Sequence, residues 1–291
     1  MIGAAHARAA RDTGRRSARA RVERSRAAQV GGALVVLILA AAAAAPWLTP
    51  YDPFRMVMAH RLQPPSWSHP LGTDMFGRDL WARMVLGARS SLLVASLGVA
   101  IASAIGVSLG LLAGYYGGWV DAVVSRVVDV FLAFPVILLA LGLVAALGPS
   151  PINVMIAIGL VYWTTYARVV RVSVMAVRHE EYVLAARAIG MPDLRILTRH
   201  LLPNVSAPII VIATLGMGGA IVIESTLSFL GVGVQPPVPS WGWTLALGLR
   251  YMREAPHLAV VPGVAIMLTV FAFNLLGDGV RDLADPRSRA R

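Results

Sequence analysis

Residues 90–119 read SSLLVASLGVAIASAIGVSLGLLAGYYGGW and contain no charged side chain. A helix that crosses the hydrocarbon core of a membrane needs about 20 mainly apolar residues, so this stretch predicts a transmembrane helix. Five further stretches on either side of it are apolar and poor in charge: 27–51, about 123–148, about 152–166, about 207–230 and about 259–276. The sequence therefore predicts an all-α membrane protein with six transmembrane helices.

The composition excludes several classes of enzyme and metal protein. Of 291 residues, 57 % are hydrophobic and 14 % are charged, whereas a typical soluble domain has about 25 % charged residues. All 26 basic residues are arginine, which excludes a lysine-containing phosphate loop for ATP and a Schiff-base enzyme. Cysteine is absent and the six histidines are scattered, so we predict no disulfide, no metal site and no cofactor bound by this chain.

The distribution of arginine predicts the orientation of the spans. If the N-terminus is cytoplasmic, 19 arginines lie on the inner side of the membrane and seven on the outer side. Cytoplasmic segments carry an excess of arginine, so both termini are predicted to be cytoplasmic. In an alternative reading, the first span is a signal peptide whose cleavage leaves five spans. The basic segment before that span is long for a signal peptide.

Residues 179–204 form an unusually apolar segment within the large predicted inner loop, HEEYVLAARAIGMPDLRILTRHLLPN. Gly190 is suited to cap one short helix and Pro192 to begin another. Ala185 and Ala186 offer a small, smooth surface. Leucines recur in the second helix at the spacing of one helical face: Leu194, Leu197 and Leu201. Apolar surfaces outside the membrane indicate either a partner protein or packing on this chain, and these residues alone leave both open.

This loop resembles the coupling loop of ABC importer permeases, in which a Glu-Ala-Ala triplet is followed by Gly and then by Leu-Pro. The matching residues are Ala185, Ala186, Gly190, Leu202 and Pro203. Leu184 stands where the family has Glu, and the nearest acids are Glu180 and Glu181. The resemblance implies that the matching residues, together with Glu181, dock into a cleft on a separate ATPase subunit.

Three further stretches are similar to the C-type permease subunit of oligopeptide, dipeptide and nickel importers. They are HPLGTDMFGRDLWARMVLGARSSL at 69–92, ESTLSFLGVGVQPPVPSWG at 224–242 and NLLGDGVRDLADPR at 274–287. Ala82 stands where serine is common in that family. With the coupling loop, the similarity extends in the family's order from about residue 69 to residue 287, and it implies the type I ABC importer permease fold.

The resemblance also implies a function and a set of partners. Such a permease pairs with a B-type permease, with one fused or two separate ABC ATPase subunits, and with an extracytoplasmic substrate-binding protein. ATP and Mg are bound by the ATPase, and the permeases switch between inward-open and outward-open states. The expected protein is a multi-pass component of the inner membrane that carries oligopeptides or dipeptides and contacts lipid but no nucleic acid.

The chain divides into four predicted parts on this basis. Residues 1–27 are a cytoplasmic Arg-rich tail, which is attracted to anionic headgroups or serves only to set the topology. Residues 28–87 contain the first span and an outer segment. Residues 88–280 form the ABC transmembrane type-1 domain, with five helices and the coupling loop, and residues 281–291 form a cytoplasmic tail.

Glu224 is the charged residue that most needs explanation, because it lies within the fifth predicted span. A charge at that depth costs about 2.5–3.5 kcal/mol on insertion scales. With Ser228 and Trp241 it is a candidate for the translocation pathway or its gate. The alternatives are a position near the outer headgroups or a structural role in protonated or paired form.

Other residues in the spans predict local contacts between helices. Arg126 and Asp129 stand three residues apart and are placed to pair on one helix face. Pro135 predicts a kink in the third span. Four glycines of the second span predict a close-packed helix face: Gly98, Gly106, Gly110 and Gly114.

Two other functional classes fit the sequence less well. An intramembrane enzyme needs a nucleophile with a base, or a metal cluster, and the spans contain neither pattern. A passive channel has no need for the docking surface at 179–204. Co-purification with an ATPase is expected only of the importer, and so distinguishes it from an intramembrane enzyme and from a channel. The net charge of +11 could suggest a nucleic-acid-binding protein, but six spans exclude that class.

Overall fold

The computed structural model describes residues 26–284, and these residues are mostly helical. No β-strand occurs within this range, only an isolated bridge between Thr73 and Asp79. The α-helices in chain order are α1 Arg26–Ala43, α2 Ala45–Leu48, α3 Leu80–Tyr116, α4 Gly118–Leu132, α5 Val136–Leu147, α6 Pro151–Val177, α7 Glu181–Ala188, α8 Asp193–Arg195, α9 Leu202–Asn204, α10 Ser206–Phe229, α11 Trp241–Arg250 and α12 His257–Ala284. A 3-10 turn, Met58–His60, precedes α3, and a π-helix, Ile196–Leu201, joins α8 to α9.

Five helices are long and apolar enough to cross a membrane: α1, α3, α6, α10 and α12. The pair α4 and α5 provides a sixth span when it is counted as one bent unit. The predicted six spans are therefore confirmed when α4 and α5 are counted as one span. The end of the bundle that carries residues 178–205 is called here the loop end, and the opposite end, with residues 49–79 and α11, the far end. The cytoplasmic orientation of the termini stays a prediction.

The third predicted span is broken, not merely kinked. α4 and α5 meet at 91° across residues 133–135. Pro135 precedes α5, and because it has no backbone N–H it cannot continue the hydrogen bonding of α4. A single continuous span with a kink was therefore the wrong prediction, although the residue that interrupts the helix was identified.

Two helices extend well beyond the charge-free stretches from which they were predicted. α3 begins at Leu80, and the guanidinium of Arg83 in its first turn is buried, with its Nε 3.5 Å from Asp74 Oδ2. α6 continues to Val177, past two arginines. Helices end where their backbone hydrogen bonding stops, so a charged residue does not mark the end of a helix. The predicted domain boundary at residue 88 falls within α3.

The four glycines of α3 lie against α6, as the sequence predicted. A Cβ added at Gly106 would lie 2.3 Å from the carbonyl oxygen of Trp163, and one at Gly110 would lie 2.7 Å from that of Ala167. The same approach occurs at Gly98 and Gly114. α3 and α6 form the most extensive helix–helix contact of the described bundle, and their backbones come this close because no side chain separates them.

The two aspartates of α4 pair with arginines of α6. Asp129 Oδ1 lies 3.7 Å from a terminal nitrogen of Arg168, so its predicted pairing with Arg126 was wrong. Asp121 accepts two hydrogen bonds from Arg171, one of them 2.7 Å from Nη2 to Oδ2. α4 is therefore joined to α6 by one bidentate ion pair and approached by a second, looser one, and neither contact can be deduced from one helix alone.

Candidate functional site

The first short helix of the loop end, α7, finishes in a cap that selects glycine. Gly190 has a φ of +74°. Its N–H donates to the carbonyl of Arg187 at 2.9 Å, and the N–H of Met191 donates to that of Ala186 at 3.0 Å. These are the two hydrogen bonds of a Schellman motif. A Cβ at position 190 would meet no atom within 4 Å, so the backbone conformation alone selects glycine.

One face of α7 packs on the protein's own helices. Val183 and Ala186 are buried. They join an apolar cluster formed by residues of α3, α6 and the segment after α7: Leu111, Tyr115, Val170, Val174, Ile196, Leu197 and Leu201. Of the two adjacent alanines, Ala186 therefore packs on this chain, whereas Ala185 is exposed.

The opposite face of α7 is exposed. Glu181, Leu184, Ala185 and Ala188 lie on it at the spacing of one helix face, and all four are exposed. Leu184 is 47 % exposed, although it is a large apolar side chain. A contiguous exposed apolar patch marks a surface that contacts another molecule. The loop thus satisfies both readings of the sequence, with self-packing on one face and a free surface on the other.

The three leucines of the second segment do not share one face, contrary to the prediction. Leu197 and Leu201 are buried, but Leu194 is 72 % exposed and Ile196 lies in the core instead. The cause is the π-helix Ile196–Leu201, because its wider turn changes the spacing at which side chains share a face. A pattern counted at the α-helical period cannot predict this shift.

Asp193 ties the loop to the end of α3. The hydroxyl of Tyr115 donates to Asp193 Oδ1 at 2.6 Å, and that of Tyr116 donates to Oδ2 at 3.0 Å. The guanidinium carbon of Arg187 lies 4.5 Å from the ring centroid of Tyr115. The tyrosine hydrogen bonds, and then the charge of Arg187, lower the pKa of Asp193 below its ordinary value, so the carboxylate is ionised at neutral pH. Sequence reasoning missed this contact, because its partners are distant along the chain.

Glu224, Ser228 and Trp241 come together near the far end, but inside the subunit. The hydroxyl of Ser228 donates to Glu224 Oε1 at 2.9 Å, and Glu224 has no exposed surface. The indole N–H of Trp241 donates to the carbonyl of Met84 at 3.0 Å, and its backbone N–H lies 3.4 Å from Ser91 Oγ. None of the three side chains reaches a surface in this conformation, which favours the structural reading over a pathway contact.

A buried polar network holds the far end of α3, and sequence reasoning did not identify it. Asp74 accepts a hydrogen bond from Arg78 Nε at 2.7 Å. Asp79 accepts from the backbone N–H of Ala82 at 2.7 Å, which caps α3, and its other oxygen lies 2.8 Å from His69 Nδ1. The network positions the start of the helix that carries the glycine face. The spacing of Asp74 and Arg78, four residues apart, was the available signal.

The comparison with protein families decides what this arrangement is. Residues 106–290 match the family described as binding-protein-dependent transport system inner membrane component. The chain belongs to this family. Residues 15–65 of the permease match the N-terminal transmembrane domain of oligopeptide transport permease C. It is therefore a multi-pass inner-membrane permease of the ABC importer class.

Known relatives cover most of the permease. The dipeptide transport system permease protein DppC of Alkalihalophilus pseudofirmus is 45 % identical over 94 % of this chain and 90 % of its own length. The glutathione transport system permease protein GsiD of Pectobacterium atrosepticum is 42 % identical over 92 % of this chain and 89 % of its own length. A structure of the MetNI methionine ABC transporter in an inward-facing conformation matches with a TM-score of 0.57 at 17 % identity, covering 71 % of this chain and 97 % of that one. That likeness supports the importer permease fold.

The permease places its predicted coupling residues in one region, the loop end. Glu181 and Ala185 are exposed on α7 and Gly190 caps it, while Leu202 and Pro203 form the short α9, with Leu202 half-buried. Their role in coupling to an ATPase stays a prediction. Within residues 26–284, no group of three His, Cys, Asp or Glu side chains is arranged to hold a metal ion.

Proposed function

We propose that this permease forms half of the translocation pathway of an ATP-driven importer for dipeptides or oligopeptides. In this proposal it works by alternating access, and separate ATPase subunits bind ATP and Mg and drive the change. A B-type permease supplies the other half of the pathway, and an extracytoplasmic binding protein delivers the peptide. The ATPase is either one fused chain or two separate ones.

The exposed face of α7 is the observation that carries the proposal. Leu184, Ala185 and Ala188 form an apolar surface outside the spans, while Val183 and Ala186 join the same helix firmly to α3 and α6. A force applied to the exposed face is thus transmitted to the transmembrane helices. The absence of lysine supports the division of labour, because the chain lacks the residue that a phosphate loop requires.

The cargo is proposed from the relatives. Two of them are named as permeases for dipeptides, or for di- and tripeptides, with 45 % and 44 % identity. The glutathione permease has a similar sequence identity to this chain, 42 %. Glutathione is itself a modified tripeptide, so both names indicate short peptidic solutes.

Reconstitution tests this function. The chain is purified with the partner chains that co-purify with it, placed in vesicles, and assayed for uptake of labelled alanyl-alanine, tetra-alanine, glutathione and nickel. We expect peptide uptake that requires both ATP and the binding protein, and no ATP turnover by the isolated permease. Uptake that proceeds without ATP would indicate a channel, and ATP turnover by the isolated chain would contradict the proposed division of labour.

Gly190 provides a test of the coupling role of the loop. We expect Gly190→Val to leave the complex assembled but to lower uptake per ATP hydrolysed, because a β-branched residue with positive φ costs on the order of 1–2 kcal/mol and loosens the cap of α7. Gly190→Asn is the matched control, since asparagine tolerates this conformation. Uptake and ATP turnover are measured in the same vesicles. Equal ratios for both variants and the wild type would show that the cap has no part in coupling.

A further inference from the structure

Asp129 and Arg168 are exposed charges on helices that belong to the membrane. Asp129 lies on α4, roughly 16 Å along the helix from its start at Gly118. Arg168 lies on α6, roughly 14 Å before the end of that helix at Val177. Their side chains are 61 % and 58 % exposed. Because charges in membrane spans almost always avoid lipid, this surface faces water or protein.

The helix break next to Asp129 supports the same conclusion. Residues 133–135 connect α4 to α5 and are exposed. Irregular backbone at membrane depth is tolerated only where it is buried in protein or lines a water-filled cavity. The exposed break and the exposed ion pair therefore give two independent reasons to place this part of α4 outside the lipid.

The Asp129–Arg168 pair also differs from its neighbour, Asp121–Arg171. Arg171 donates two hydrogen bonds to Asp121, whose side chain is only 19 % exposed. Asp129 and Arg168 approach only to 3.7 Å, and their hydrogen-bonding capacity remains mostly available. The first pair is a structural clamp, whereas the second can exchange its partner for a ligand.

A cavity of about 390 Å³ lies beside the available pair. Its lining includes Asp129 and Arg168, and also Arg171, whose guanidinium is already bound to Asp121. Clefts that hold small molecules span about 300–1,000 Å³. An acid and a guanidinium at one cavity match the ammonium and the carboxylate of a short peptide, since each would form a charge-assisted hydrogen bond with the opposite terminus.

We propose that Asp129 and Arg168 line the translocation pathway and bind the charged termini of a passing zwitterionic peptide. This inference rests on the peptide cargo proposed above. In it, the peptide ammonium contacts Asp129 and the peptide carboxylate contacts Arg168. The two side chains determine a preference for zwitterions in the pathway itself, beyond the selection made by a binding protein.

Uptake of labelled alanyl-alanine by the complete reconstituted complex tests this inference. Asp129→Asn and Arg168→Gln are each expected to lower the maximal uptake rate about tenfold, the effect of losing one charge-assisted contact. ATP turnover stimulated by the loaded binding protein is expected to persist, because the face of α7 is unchanged. Arg126→Gln is the matched control, since it removes an exposed charge of α4 outside the cavity lining, and we expect uptake at the wild-type rate.

Exchanging the two charges separates a pathway contact from a structural ion pair. The double variant Asp129→Arg/Arg168→Asp keeps the mutual attraction but reverses the polarity presented to the peptide. We expect its uptake to remain low while the complex still assembles. Restored uptake in the double variant would show a structural pair, and loss of assembly in the single variants would show an interface with the partner permease; either result overturns the inference.

The outcome for the wild-type complex distinguishes this inference from the proposed function. If wild-type vesicles take up alanyl-alanine and both single variants do so at the same rate, only the pathway contact is contradicted. If wild-type vesicles take up no peptide at all, the proposed cargo fails and the inference fails with it.

Discussion

Replacing Gly106 by alanine is expected to strain the packing of α3 on α6 and so to lower the thermal midpoint and the yield of the complex. The added Cβ would lie 2.3 Å from the carbonyl oxygen of Trp163 and 2.5 Å from Tyr166 Cβ. Backbone atoms cannot move aside as a flexible side chain can, so the two helices must separate. Overpacking of a core costs roughly 1–3 kcal/mol, and here the strain falls on the most extensive helix pair. The measurement is the thermal midpoint and yield of the purified complex.

Gly142→Ala is the matched control for Gly106→Ala. It makes the same change of side chain within a membrane helix, α5, but a Cβ there meets no atom within 4 Å of this chain. We expect the control to match the wild type in yield and thermal midpoint. A Gly106→Ala complex as stable as the control would contradict the packing of α3 on α6 described here.

Replacing Ala185 by arginine is expected to leave the permease folded and to abolish ATP-driven uptake. Ala185 is exposed on the outward face of α7, so a long charged side chain there disturbs no packing within the chain. It would hold an ATPase surface away from the helix and interrupt an apolar contact patch. Ala185→Ser is the control, because serine keeps the small volume. The measurements are co-purification of the ATPase and uptake of alanyl-alanine.

The neighbouring residue gives a contrasting result. Ala186 is 4 % exposed and packs in the cluster with Val174 and Leu201. Ala186→Arg is therefore expected to displace α7 and to destabilise the permease itself, so its thermal midpoint falls, whereas that of Ala185→Arg does not. If Ala185→Arg takes up peptide and binds the ATPase as the wild type does, the exposed face of α7 does not contact the ATPase. The loop would then only connect α6 to α10, and the proposed coupling role would be contradicted.

The candidate coupling surface could be predicted in part from the sequence. The positive φ of Gly190 follows from a local rule, because the end of a short helix often requires a left-handed residue. Which alanine faces outward does not follow from such a rule. Ala185 and Ala186 are chemically identical and adjacent, and only the position of α7 against α3 and α6 separates them.

Glu224 and Asp129 show the same limit of prediction from the sequence. Glu224 was recognised as a costly charge in a span, and its partner Ser228 lies four residues further along the same helix, but its complete burial depends on how α10 packs against α3 and α11. Asp129 was assigned to Arg126 because both lie on one helix. Its partner is Arg168 on another helix, at a distance that no spacing within α4 encodes.

By itself, the sequence determined the membrane class, the six spans, the glycine face of α3 and the cap at Gly190. Transfer of a helix into hydrocarbon is a sum over about 20 neighbouring residues, and a cap depends on a few consecutive dihedral angles, so both are local properties. Only the tertiary structure decided the 91° break before Pro135, the inward position of Ala186 and the pairing of Asp129 with Arg168. The last two depend on the relative placement of helices distant along the chain, which arises when the helices pack together; for the break, the sequence identified the interrupting proline but not the angle.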